Sequence, residues 1–370
     1  MSFRHVASLC ALALLAALAP PTHAAPTKAA PTPSARTYSL SGDDVAIWNP
    51  AGEVHIEAAT GNAVQVDVSP MGHDAADLKI DDQPLGGRPT LRVLYPSDRI
   101  VYPPMGRWSN TNTSIHSDGT WGNDNHGMSW LGRHLTIHGS GSGTEAWTDI
   151  TVRVPKGRKV SVYSLAGAAA IKNVDGKLLF DGGSGGVQAE KCRGTLTLDL
   201  GSGGVQVAGF DGELNVDTGS GGVHVSDVSG ARVHLDTGSG SVTGDQIVTD
   251  DLYVDTGSGS VDMTQVDAKR AKLDTGSGGV ELGLLSRTSD LDIDTGSGSV
   301  RVTLPTDFSA QLHIETGSGG IHSDLPVTIE EKDTGLLRGT MGSGTGRLHV
   351  DTGSGGVTLL AGGTTRGKTR

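Results

Sequence analysis

Residues 252–261 read Leu-Tyr-Val-Asp-Thr-Gly-Ser-Gly-Ser-Val, and this line recurs through the second half of the chain. Its acidic residue returns at Asp181, Asp199, Asp217, Asp236, Asp255, Asp274, Asp294 and Glu315, in steps of 18, 18, 19, 19, 19, 20 and 21 residues, and a last copy starts at Asp351. A nearly fixed period of this size marks one supersecondary unit stacked on itself. With the period of two that a strand imposes, Leu252, Val254 and Thr256 share an inner face while Tyr253 and Asp255 point outward. Gly-Ser-Gly turns the chain, and each copy resumes on a β-branched aliphatic residue such as Val242, Val261, Val280 or Ile321. The expectation is an all-β fold, a single-stranded parallel β-helix or β-solenoid with rungs of 18–21 residues.

Composition agrees. Glycine contributes 56 of 370 residues and aromatics only 4%, which suits thin layers of small β-branched side chains better than a bulky core. No Gly-X-Y triplet runs through the chain, so collagen is excluded. A formal charge of −12 without long acidic blocks disfavours nucleic acid and anionic lipid as partners. Residues 1–24 read as a Sec signal peptide, with Arg4 and His5 before an apolar run too short to span a membrane and Thr22-His23-Ala24 before the cut. Only Cys192 lies beyond it, so no intramolecular disulfide is available. The expected location is the periplasm, the cell surface or the medium, without membrane insertion.

Outward from the repeat, residues 25–36 form a Pro/Ala-rich linker and 37–361 one solenoid domain. Its first part, 37–160, is irregular, with strand alternation from Val45 and a degenerate turn at Asn49-Pro50-Ala51-Gly52. Regular copies occupy 161–361, interrupted at 325–346 by an inserted hairpin, and 362–370 is a basic tail. Residues 97–143, rich in Asn, Ser, Gly and His, read as a long surface loop or loose hairpin too polar to join the core.

The Gly-Ser-Gly-Ser/Gly-Val repeat, Val154-Pro155-Lys156-Gly157 and the ending Leu304-Pro305, Leu337-Arg338-Gly339 and Thr352-Gly353-Ser354-Gly355 together resemble the bacterial "putative adhesin" domain over residues 40–360. The resemblance implies an exported β-solenoid whose biochemical role is largely unassigned. Residues 97–143 lie outside the shared pattern.

Several catalytic signatures dissolve into the repeat. Asp-Thr-Gly-Ser marks aspartic peptidases, but it occurs six times here, and peptidase chemistry needs one facing pair in a cleft. Gly182-x-Ser184-x-Gly186 matches a hydrolase nucleophile elbow, yet no strand-to-helix turn follows. Gly362-x4-Gly367-Lys368-Thr369 spells a phosphate-binding loop without the helix that loop must open. The acidic column is the weightier case. Stacked in register ~4.8 Å apart, neighbouring carboxylates repel by roughly 0.9 kcal/mol even at the dielectric of water. An Asx turn, with each carboxylate accepting backbone N–H groups two or three residues on, offsets this most simply. Calcium held by Asp217, Asp236, Asp255, Asp274 and Asp294 is the sharper alternative, although the repeat does not spell a calcium β-roll.

In the 97–143 segment, His116, His126, His134 and His138 match no standard zinc spacing. Trp108, Trp121 and Trp130, with His126, are candidates for ligand contact, a glycan foremost. The outward positions after the corner (Gln188, Gln206, His224, Thr243, Asp262, Glu281, Arg301, His322, Thr358) set no acid, base and cation apart. The sequence therefore leads to a non-enzymatic, adhesin-like cell-envelope scaffold without a cofactor. A β-helix enzyme acting on envelope or extracellular polysaccharide, and a periplasmic scaffold or sensor of envelope stress, are the alternatives.

Overall fold

The computed structural model of the chain describes residues 34–122, 132–285 and 288–362. The structure is built from β-strands, with two single 3-10 turns at Ala75–Asp77 and Pro103–Met105 and no α-helix among the described residues. The irregular first part holds β1 (Arg36–Leu40), β2 (Asp44–Ala51), β3 (Val54–Ala59), β4 (Val64–Met71), β5 (Lys79–Asp81), β6 (Thr90–Leu94), β7 (Arg99–Val101), β8 (Asn110–Ile115), β9 (Arg133–His138) and β10 (Trp147–Pro155). The repeats follow as β11 (Lys159–Ala166), β12 (Ala169–Lys172), β13 (Asp175–Ser184), β14 (Val187–Ser202), β15 (Val205–Thr218), β16 (Val223–Thr237), β17 (Val242–Thr256), β18 (Val261–Thr275), β19 (Val280–Leu284), β20 (Asp290–Thr295), β21 (Val300–Pro305), β22 (Ala310–Thr316) and β23 (Ile321–Ser323). A hairpin of β24 (Thr328–Asp333) and β25 (Leu336–Met341) precedes β26 (Gly346–Thr352) and β27 (Val357–Gly362).

Successive repeat copies pair in parallel, with like residues opposite one another: Leu214 beside Val233, Val233 beside Leu252, Leu252 beside Ala271. These inner columns of Leu, Val, Ile and Thr are buried and form one continuous core. The whole is a solenoid-like stack, but its sheet is mixed, which corrects the expectation of a purely parallel single-stranded helix. β4 runs antiparallel to both β1 and β10, β5 to β6, and β25 to both β22 and β24. The antiparallel strands lie at the two ends of the stack. There a hairpin ends the ladder of open backbone groups, a task that another parallel copy would only pass on.

The order of the copies also departs from the order of the chain. β26 pairs on one side with β20 and on the other with β22, and β27 likewise lies between β21 and β23. The last copy is therefore inserted beneath the one that precedes it in sequence. The inserted hairpin at 325–346 is present as β24–β25, and it closes the end that the last copy vacates.

Residues 97–143 hold more structure than a loop. β7, β9 and β8 form a separate small sheet, with β9 parallel to β7 and antiparallel to β8. Ile100, Leu135 and Ile137 on its inner face are fully buried, and Ile115 nearly so. The period-two alternation of His134-Leu135-Thr136-Ile137-His138 carries this strand, although its polar surroundings read as loop.

Candidate functional site

The acidic column forms in full. Asp181, Asp199, Asp217, Asp236, Asp255, Asp274, Asp294, Asp351 and Glu315 stand opposite one another in that order on nine strands joined by eight pairings. What supports its corners differs from the expected Asx turn. From Asp217 onward an inward threonine follows each outward carboxylate, whereas Gly182 follows Asp181 and Leu200 follows Asp199. Thr256, Thr275, Thr295 and Thr352 each accept the N–H of the glycine three residues on, at 3.0 Å. The same hydroxyls donate to the glycine carbonyl of the adjacent copy, Thr256 to Gly240 at 2.8 Å, and Thr275 to Gly259, Thr295 to Gly278 and Thr352 to Gly298 at 2.9 Å. Corner thus joins corner through a buried chain of hydrogen bonds, in which each bond polarises the next. A hydroxyl is suited to this because it donates and accepts at once, whereas an ionised carboxylate only accepts.

The carboxylates are left outward and close together. Asp255 accepts the Tyr253 hydroxyl at 3.0 Å, and Glu315 is bonded to His313 Nε2 at 2.6 Å. Burial raises the carboxyls of Asp199, Asp236 and Asp274 above their ordinary value, and the neighbouring column members push them further the same way. The Tyr253 hydroxyl, partly desolvated beside Asp255, is pushed up to about 12. Among the described residues no group of three or more His, Cys, Asp or Glu side chains is placed to hold a metal ion.

Four residues earlier on the same strands runs a second column, Glu213, Arg232, Asp251, Arg270, Asp290 and Arg347, whose signs alternate. Its members pair across copies: Arg232 with Glu213 at 2.9 Å, Arg270 with Asp251 at 2.5 Å and Arg347 with Asp290 at 2.7 Å. The flat face therefore carries one neutralised column and one that is acidic throughout. Sequence spacing pointed to the second; the first was missed, because its signs become regular only once the copies are placed side by side in register.

Of the aromatic candidates, Trp108 is 89% exposed, with the Arg107 guanidinium 5.6 Å from its ring centre. Trp121 lies in the core at 4% exposure, which removes it from the surface proposed for ligand contact. Its carbonyl accepts the Trp48 indole N–H at 3.1 Å, and Trp48 stacks on Tyr163 at 4.8 Å. Trp48 and Tyr163 occupy the two positions that precede Asp181 in the outward column. Aromatic rings thus replace carboxylates where Trp121 and Gly122 cover the strands; a side chain at Gly122 would meet Tyr163 and Asp181. Trp130 and His126 lie outside the described residues. His134 and His138 are on β9, apart from His116, which follows β8.

No helix among the described residues is long and apolar enough to cross a membrane. Comparison with curated proteins gives no match. A crystal structure described as "a putative cell adhesion protein from Clostridium sporogenes" aligns over 89% of this chain and 100% of its own, at 9% identity and a TM-score of 0.21. The model of the Toastrack DUF4097 family matches residues 123–360, well over half of the chain. The chain, with its stacked copies and threonine-locked corners, belongs to the Toastrack DUF4097 family.

Proposed function

We propose that this protein is a non-enzymatic binding scaffold of the cell envelope, adhesin-like in that it presents ordered columns of side chains to a ligand outside the cytoplasm. The reading rests on one observation. The regular face offers nine carboxylates in a single line beside a line of cross-paired charges. Catalysis needs groups whose environments push their acidities apart around one reacting atom. A line of like groups in like surroundings supplies repetition instead. Export by the N-terminal segment belongs to the same proposal.

The enzyme alternative has a definite place to be tested. A groove of about 370 Å³ is lined by Asp262, Glu281 and Arg301, with Glu281 and Arg301 3.6 Å apart. Incubation of the protein with a panel of envelope and extracellular polysaccharides is expected to yield no new reducing ends and no unsaturated products. Turnover that disappears in Glu281→Gln or Asp262→Asn would replace the scaffold reading with a hydrolase or lyase. Removal of the protein from intact cells by added protease is the expected mark of a surface location. Protection until the outer membrane is opened would favour the periplasmic scaffold.

A further inference from the structure

The small sheet has one apolar face and one largely polar face; on the polar face Val101, opposite His138, is buried, and the rest is partly or fully open to solvent. Register puts Asn110 opposite His138, Asn112 opposite Thr136 and Ser114 opposite His134, while Arg99 stands beside Thr136 on the other flank. The residues between them, Ile100, Leu135 and Ile137, are buried, so the first set shares the outer side of the sheet. Arg99, Asn110, Asn112, Ser114 and His134 are exposed, and Thr136 and His138 half-buried. At the rim stands Trp108, its indole open to solvent and flanked by Arg107.

Charge on this face runs against the rest of the protein. The chain carries −12 overall, and among the described residues the arginines elsewhere on the stack, Arg36 apart, are held in ion pairs, as Arg153 is with Asp67, Arg193 with Asp211 and Arg270 with Asp251. Arg99 and Arg107 have no carboxylate partner among the described residues, and Asp98 beside them is taken by Arg133 at 3.0 Å. The match to the Toastrack family begins at residue 123, so β7, β8 and Trp108 stand outside it. A site added to a common scaffold is where a chain acquires its own specificity.

We propose that the outer face of β7, β8 and β9, with Trp108 at its rim, binds an acidic oligosaccharide. It rests on the binding-scaffold reading and assigns that reading a site and a ligand class. Each part of such a ligand has a counterpart. Carboxylate or sulfate groups accept paired N–H bonds from the Arg99 and Arg107 guanidiniums. Ring hydroxyls both donate and accept, as do the Asn110 and Asn112 amides and the His134 and His138 imidazoles. The apolar face of a sugar ring lies against the exposed indole of Trp108. A bilayer is a poorer fit, since insertion needs a group of apolar side chains and Trp108 is the one large exposed hydrophobe among the described residues of this sheet and its flanks.

The test is affinity electrophoresis of the full chain at low salt through gels containing polygalacturonate, with dextran as the neutral control. Retardation by polygalacturonate alone is expected. The double variant Arg99→Ala/Arg107→Ala and the single variant Trp108→Ala should each weaken it by about tenfold or more, the loss of a charge-assisted contact or a stacking surface. Arg36→Ala, which removes another exposed cation, should leave it unchanged. All three sites are exposed, so unaltered melting temperatures verify folding. Retardation that persists in the Arg99/Arg107 and Trp108 variants would remove this site and leave the scaffold reading standing. No retardation by polygalacturonate or by a sulfated glycan would overturn the ligand class. Binding to vesicles containing phosphatidylglycerol, lost in the same variants and absent with polysaccharide, would reassign the face to a lipid surface.

Discussion

Asp274 and Thr275 are adjacent, yet the structure gives them opposite energetic roles. Thr275 is 1% exposed and holds both the Gly259 carbonyl and the Gly278 N–H. Replacing it by valine keeps the shape but strands both backbone groups, so Thr275→Val should cost about 2 kcal/mol. Asp274 faces solvent between Asp255 and Asp294, and its carboxyl is raised first by burial and then by those two neighbours. Asp274→Asn should therefore stabilise the protein at pH 7 and low salt, by up to about 1 kcal/mol after screening. The sign with pH follows from the same shift. A folded carboxyl raised above 3.8 keeps its proton where the unfolded chain has released it. Its stabilising contribution is full below 3.8 and is lost as pH climbs through the folded value. The advantage of Asp274→Asn over wild type should then shrink on acidification toward pH 4. Asp67, Asp245 and Asp251 act in the other direction, because hydrogen-bonding partners lower them and their contribution disappears at low pH. Urea unfolding of both variants between pH 4 and 8 measures all of this. An Asp274→Asn variant less stable than Thr275→Val would restore the carboxylate as the cap of the turn.

The corner explains why the repeat is written Gly-Ser-Gly and then Gly or Ser. A Cβ on Gly259 would lie 1.8 Å from the Gly240 carbonyl oxygen of the adjacent copy, whereas one on Gly279 would meet only the Ser299 carbonyl at 3.2 Å. Gly259→Ala has to push two copies apart and should cost more than about 3 kcal/mol, the mark of a clash between backbones. Gly279→Ser reproduces what Ser241, Ser260 and Ser299 already do and should stay within about 0.5 kcal/mol of wild type. Equal midpoints for the two variants in thermal melts would contradict this account of the stacking. Much of this was legible in the sequence, because identical columns result when one pattern recurs at one period. Val242, Val261 and Val280 were placed inward, and Asp255 and Asp274 outward, by alternation alone. The capping residue was misread because Asp and Thr both bond to turn N–H groups. Only the inward side gives access to the neighbouring copy's carbonyl, and that contact joins residues 16 positions apart, Thr275 to Gly259. The small sheet was missed for a similar reason. Its Asn-, Thr- and His-rich strands show polar composition on one face and bury Ile100, Leu135 and Ile137 on the other. The site proposed for the acidic oligosaccharide lies in that misread stretch. Repetition reveals architecture, and the departures from it hold what is particular to this chain.

In a stack of copies each unit is held by its two neighbours, so where a copy sits decides what its loss does. Chain order would put the copy at 346–362 at the end, where removal would trim the structure and leave the rest as before. Pairing puts it inside. Leu348 lies between Leu291 and Leu312, Val350 between Ile293 and Ile314, and Thr352 reaches back 54 residues to the Gly298 carbonyl. A chain ending at Thr345 would lose both ladders that join β22 and β23 to the stack, β22 to β26 and β23 to β27. It would also leave the buried faces of Leu312 and Ile314 without their partners on one side. The copies from β13 to β18 pair only with one another and with β11, β12, β19 and β20, so their neighbours remain. The truncated protein should therefore keep a folded fragment that ends near Pro305 and expose residues 310–341 to protease. Full-length protein should protect that stretch, leaving only the exposed β24 edge within reach. Mass spectrometry of limited digests distinguishes the two arrangements. If 310–341 stays as resistant in the truncated chain as in the full one, the last copy is a terminal unit and the inserted order is wrong.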